Sequence, residues 1–111
     1  MSKKFMLLYL APVAAERQME VSPEDMKKGM EPWLKWYGKH GDAIVDMGTP
    51  LGKGAHFTKG GRSAGRTQVA GYSIVQAESM QTAEAMVSDH PHFMLPGAGI
   101  EVLEYLPMPG M

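Results

Sequence analysis

The stretch that decides the fold is Ser22-Pro23-Glu24-Asp25-Met26-Lys27-Lys28-Gly29-Met30-Glu31-Pro32-Trp33-Leu34-Lys35-Trp36-Tyr37-Gly38-Lys39-His40-Gly41, together with Asp42-Ala43-Ile44-Val45-Asp46-Met47 behind it. Along it the spacing of apolar residues changes from that of a helix to that of a strand. Ser22 is a suitable N-cap, Pro23 fits the first helical position, and Glu24 and Asp25 sit at the positive end of the helix dipole. Met26, Met30, Trp33, Leu34 and Tyr37 then recur on a single stripe, with Lys27, Lys28, Glu31, Lys35 and Lys39 largely away from it. Pro32 falls inside this helix. It removes one backbone hydrogen bond and crowds the carbonyl of Lys28, so the helix is expected to be bent or split there. Gly41 stops the helix just after Lys39 and His40. Residues 42–47 alternate as a strand.

Upstream, Phe5 to Leu10 is a short, nearly continuous apolar run, the pattern of a strand covered on both faces. Pro12 ends it, because proline donates nothing to a ladder. Lys3 and Lys4 ahead of the run imitate a very short export signal, but Pro12 interrupts the apolar core and the segment reads as a strand. Downstream, Gly48 to Gly65 holds six glycines and one proline. It reads as a long mobile connection with a short extended piece around Ala55 to Thr58. Val69 to Gln76 is a third strand in which Gly71 marks a bulge or a close approach. Ser79 caps a second helix with Ala83, Met86 and Val87 inward, ending before Pro91. Ile100 to Leu106 is the last strand, and Pro107 to Met111 a loose tail.

The order is therefore β, α, β, β, α, β in one domain spanning 1–111. This predicts an α+β fold: a ferredoxin-like βαββαβ unit with a four-stranded antiparallel sheet and both helices on one face. The other face would present apolar residues from strands one and three. A patch of that kind predicts a homodimer, two sheets packed face to face about a two-fold axis.

The 111 residues suffice for one modest core without metal or disulfide support. There is no cysteine, which excludes disulfides, thiolate metal sites, iron–sulfur clusters and a cysteine nucleophile, and fits a reducing cytoplasm. Asparagine is absent as well, so there is no N-glycosylation sequon. The eleven methionines read as gap-fillers of a core or as a soft binding surface. Net charge is −1, but its sign is unevenly spread. Lys53, Lys59, Arg62 and Arg66 lie in an acid-free middle stretch, whereas Glu78, Glu84, Asp89, Glu101 and Glu104 follow with no base among them. Such an asymmetry suits a small anionic ligand or the pairing of two dimer surfaces. Four basic residues are too few for a nucleic-acid footprint, and no stretch is long enough to cross a membrane.

Several short motifs resemble the YCII-related proteins, the family that includes the DGPF-like domains. They are Lys4-Phe5-Met6-Leu7-Leu8, Ser22-Pro23-Glu24-Asp25-Met26, Gly48-Thr49-Pro50-Leu51, Gly71-Tyr72-Ser73-Ile74-Val75, His90-Pro91-His92 and Ile100-Glu101-Val102. The resemblance covers most of the chain and implies the dimeric α+β barrel fold. The Asp-Gly-Pro-Phe motif of one branch is replaced here by Gly61-Arg62-Ser63-Ala64-Gly65-Arg66. Smaller members pair a histidine early in helix one with an aspartate before the proline closing helix two. Here those places hold Met30 or Glu31, and His90, so the pair does not carry over. Relatives on this fold include dehalogenases, lactone isomerases and cofactor-free monooxygenases.

Asp89-His90-Pro91-His92 is the sharpest chemical cluster. His90 is a candidate general acid or base with Asp89 or Asp46 orienting it. The plainer reading is a helix end, with His90 in the last turn and His92 capping the exit loop. His90 and His92 with His56 would form a metal site only with a further ligand, so no metal or cofactor is assigned. Lys53, His56, Lys59, Arg62 and Arg66 lie on a loop able to close over an anionic ligand, or on a solvated linker. Gly48 to Gly54 misses the phosphate-loop spacing. Tyr72, with Trp33, Trp36 and Tyr37 of the first helix, could line an apolar pocket; core packing is the plainer reading for Trp33 and Tyr37, while Trp36, off the helical stripe, is a dimer contact or a pocket wall. Two functional readings stand: a cofactor-free enzyme of isomerase, dehalogenase or lyase type using His90, and a non-catalytic dimer that binds a small molecule or a partner.

Overall fold

The computed structural model describes residues 2–65 and 67–110, and of Glu16 the backbone alone. Strand β1 (Lys3–Leu10) is followed by a single turn of helix, α1 (Ala15–Gln18), and the long helix α2 (Pro23–His40). Strand β2 (Ile44–Pro50) leads into a hairpin of β3 (Ala55–Thr58) and β4 (Gly61–Ala64). Then come β5 (Val69–Ala77), α3 (Met80–Met86) and β6 (Gly99–Glu104). The fold is α+β, as expected. β2, β5, β1 and β6 form a four-stranded antiparallel sheet in that order, and β3–β4 is a separate two-stranded sheet.

Local chemistry accounts for the ends of both main helices. The Ser22 hydroxyl accepts from the Asp25 amide at 3.1 Å and the Ser79 hydroxyl accepts from the Thr82 amide at 3.2 Å, each satisfying an otherwise orphaned donor. Gly41 closes α2 with a φ of 46°, a backbone region open mainly to glycine. A 3-10 turn over Gly41–Ala43 delays β2 to Ile44.

Two expectations for α2 need correcting. It runs through Pro32 as one 18-residue helix and is not split. Proline forfeits only the bond to the Lys28 carbonyl, and the bonds of the neighbouring residues carry the helix past it. The buried side of the helix is also rotated. Met30 and Leu34 are exposed, whereas Trp36, expected off the stripe, is 3% exposed. Its indole N–H donates to the Met86 carbonyl at 2.8 Å, a long-range bond that helical periodicity does not encode.

The core lies between the sheet and the helices. Phe5, Leu7 and Tyr9 of β1 and Val75 and Ala77 of β5 meet Trp36, Ala83 and Met86. β1 is thus buried on one face only: Met6, Leu8 and Leu10 alternate with the core residues and are half-buried on the helix-free face. Glycine is required at two places beside the core. At Gly48 (φ 78°) a Cβ would lie 1.7 Å from the Tyr72 carbonyl oxygen. At Gly71 it would lie 3.3 Å from the Thr49 carbonyl oxygen, and the β1–β5 register shifts at the adjacent pairing, so both a close approach and a bulge occur there. The stretch read as a long connection is in part regular: β2 extends to Pro50, and the piece expected around Ala55 to Thr58 gains a partner in β4. Its Ala55–Ala64 and Thr58–Gly61 pairs bracket a two-residue turn, Lys59-Gly60.

Candidate functional site

Strand alternation puts Tyr9 and Ser73 on the helix-facing side of neighbouring strands. Past α3, Pro91 opens a 3-10 turn (Pro91–Met94) whose N-cap is His90: the His92 amide donates to His90 Nδ1 at 2.9 Å. This turn drives both histidines inward, so that His90 is 2% and His92 7% exposed. His90 sits among rings, with centroid distances of 4.3 Å to Trp36, 4.7 Å to Trp33 and 4.9 Å to Tyr9.

Every proton in this cluster has a defined direction. A backbone N–H only donates, so His90 Nδ1 is the accepting nitrogen and the neutral ring carries its proton on Nε2. That N–H donates to the Tyr9 hydroxyl oxygen at 3.0 Å, Tyr9 donates to Ser73 Oγ at 2.7 Å, and Ser73 donates to the Met47 carbonyl at 2.7 Å. The Tyr37 hydroxyl donates to the same carbonyl at 3.2 Å. The result is a buried polar relay with each member satisfied. Burial, with His92 beside it, pushes the His90 pKa down to about 3. Burial raises the pKa of Tyr9 and Tyr37. The relay is therefore neutral at physiological pH.

Beside it lies a cavity of about 250 Å³. Tyr9, Trp33, Tyr37, Met47 and His92 contribute to its wall, with Ala15 and Met19 from the α1 side and Gly48 and Gly71 from the sheet. Among the residues whose side chains are described, no Lys, Arg, Asp or Glu lines it.

The residues singled out in the sequence are only partly brought together. His90 is central. Asp89 is exposed and bonds Lys39 Nζ at 2.6 Å, which holds its carboxyl below the usual range, and it makes no bond to His90. Asp46 accepts from the Gly48 amide. Trp36 flanks His90 from the core and does not line the cavity. Tyr72 reaches the cavity edge, but alternation turns its side chain to the face opposite Ser73. His56 and Arg62 are on the hairpin, in β3 and β4, and neither lines the cavity. Lys53 lines a second, more polar hollow of about 290 Å³ beneath the hairpin. Arg66 lies outside the described residues.

Sequence reasoning missed Tyr9, Ser73 and Met47 as site residues, preferred a core role for Tyr37, and weighed His92 only as a metal ligand or a loop cap. Two of them carried a signal: Tyr9 and Ser73 are polar tips within apolar strands, and a buried polar group demands a partner. No group of three His, Cys, Asp or Glu side chains among the described residues could hold a metal ion, and none of their helices is long and apolar enough to cross a membrane. Comparison with known proteins finds no matching family model and no match among curated sequences.

Proposed function

We propose that this protein binds a small, neutral, largely apolar molecule in the cavity between α1, α2 and the β2–β5 side of the sheet, and that it does so as a ferredoxin-like homodimer of the YCII-related type. The observation that carries the ligand reading is the wall itself, largely apolar and aromatic, with no charged residue among those whose side chains are described. It favours a neutral ligand over the anion that the basic stretch suggested. Binding is also favoured over acid–base catalysis through His90, because both ring nitrogens are already engaged, Nδ1 by the His92 amide and Nε2 by Tyr9.

The ferredoxin-like reading is supported by the strand order β2-β5-β1-β6 and by α2 and α3 sharing one core with β1 and β5. Dimerisation is supported by surface. The chain exposes 7981 Å², where a compact monomer of 12.1 kDa would expose about 6,000 Å². The excess is more than the roughly 800 Å² that each partner contributes to a standard interface.

The test is a panel of neutral bicyclic aromatics and the corresponding carboxylates, followed by thermal shift and tryptophan emission. The neutral compounds are expected to raise the melting temperature and to alter emission, with the emission change lost in Trp33→Phe. Preferential binding of the carboxylates would overturn the neutral-ligand reading.

A further inference from the structure

His92 is the one histidine of the cavity wall, and its two ring nitrogens have different surroundings. Nε2 lies 2.8 Å from the Leu10 carbonyl oxygen. A carbonyl only accepts, so Nε2 carries the ring proton of the neutral form and donates it there, which leaves Nδ1 as a bare lone pair. Among the described residues that nitrogen has no hydrogen-bond partner, and it is not fully enclosed either: the fully enclosed, unpartnered side-chain atom among those residues is His40 Nε2. His92 is thus a buried residue, 7% exposed, that carries an unpaired acceptor on a ring forming part of the cavity wall. An unpaired buried acceptor is costly unless something donates to it.

Several other polar groups on the wall already have partners. Tyr9 accepts from His90 and donates to Ser73, the Tyr37 proton goes to Met47, and the Gln18 amide donates to the Val13 carbonyl at 2.6 Å. Much of the remaining wall is apolar, with Trp33, Met19, Met30 and Leu34 among it, and suits a planar apolar body. A cavity of about 150 Å³ accommodates one benzene ring, so the volume here has room for one or two fused rings.

We propose that His92 Nδ1 is the hydrogen-bond acceptor that anchors the ligand, and that the ligand is of the phenol or enol class: a flat one- or two-ring body carrying a neutral hydroxyl donor. The inference rests on reading the cavity as a ligand site. His92 is a ligand-positioning group here, and no bond is made or broken.

The experiment compares 2-naphthol with 2-methoxynaphthalene, which keeps the body and lacks the donor, on wild-type protein and on His92→Phe. Binding is read by Trp33 emission and calorimetry. Wild type is expected to bind the naphthol about ten-fold more tightly than the ether, and His92→Phe to bind the two alike. Long-range proton–nitrogen NMR on wild type supplies a readout independent of the variant's folding: the naphthol should shift the His92 Nδ1 resonance and the ether should leave it in place. If both compounds bind wild type equally, or Nδ1 does not move with naphthol bound, the His92 inference falls and the cavity reading stands. If neither compound binds, the cavity reading falls and this inference with it.

Discussion

A proton added to His90 has no vacant nitrogen to occupy. Nδ1 already accepts the His92 amide, and the ring is packed among Trp33, Trp36 and Tyr9. In the folded chain His90 takes up a proton only near pH 3, whereas an unfolded histidine does so near 6.5. Between those values the unfolded chain holds more protons, so stability falls as the pH drops through the window, by up to about 1.4 kcal/mol per unit, and levels off below it. His40, whose pKa is lowered by burial and by Lys39, acts in the same direction. Urea midpoints between pH 7.5 and 4 should decline steadily in wild type and less steeply in His90→Phe; a flat wild-type profile would contradict the assignment. The relay makes a second prediction. Tyr9→Phe removes the acceptor of His90 and the donor to Ser73, leaving the buried His90 Nε2–H unpaired while Ser73 keeps its bond to Met47, and should cost about 1–3 kcal/mol. Adding Ser73→Ala to it should cost less than the sum of the single changes in denaturant melts.

Among the elements, β2 depends on Gly48 and the hairpin depends on little beyond itself. A Cβ at Gly48 would strike the Tyr72 carbonyl, and its φ of 78° is unfavourable for any other residue. Gly48→Ala should therefore part β2 from β5 locally and lose about 3 kcal/mol or more, seen as a lower melting temperature together with loss of cavity binding. The β3–β4 hairpin is exposed at every residue except the half-buried His56, and an isolated two-stranded hairpin is marginal in water. Its amides should exchange with deuterium well before those of β1 and β5; comparable protection in both would show that the hairpin is anchored. The two main helices were legible in the sequence, down to the Ser22 and Ser79 caps, because capping is decided within four residues; the single turn α1 (Ala15–Gln18) was not. The second strand of the hairpin was not, since Gly61-Arg62-Ser63-Ala64 has no apolar alternation to announce it.

The whole molecule is flat, with extents of 44 × 42 × 20 Å and a radius of gyration of 15.6 Å, against about 13 Å for a compact chain of this length. Met6, Leu8, Leu10 and Ile74 lie half-buried on the helix-free face, with Leu103 exposed beside them. The proposed homodimer covers this face. Light scattering should give a mass near twice 12.1 kDa for wild type, and Ile74→Arg should reduce it to a single chain that keeps its helical circular dichroism. A wild-type mass of one chain at micromolar concentration would remove the dimer.

By itself the sequence determined the kind and order of the main elements, because caps, proline, glycine and apolar period act over a few residues and need no distant partner. It also located His90 as a residue of consequence. Only the tertiary structure decided what His90 does: Tyr9 and Ser73 are 64 residues apart in the chain, Tyr9 and His90 are 81 apart, and all three meet in one proton-ordered relay. It likewise decided that Trp36 rather than Leu34 faces the core, and that the basic residues Lys53 and Arg62 stand away from the apolar cavity. Side chains from distant strands must pair when buried together, and which ones are buried together depends on strand register and helix rotation, neither of which a local pattern encodes.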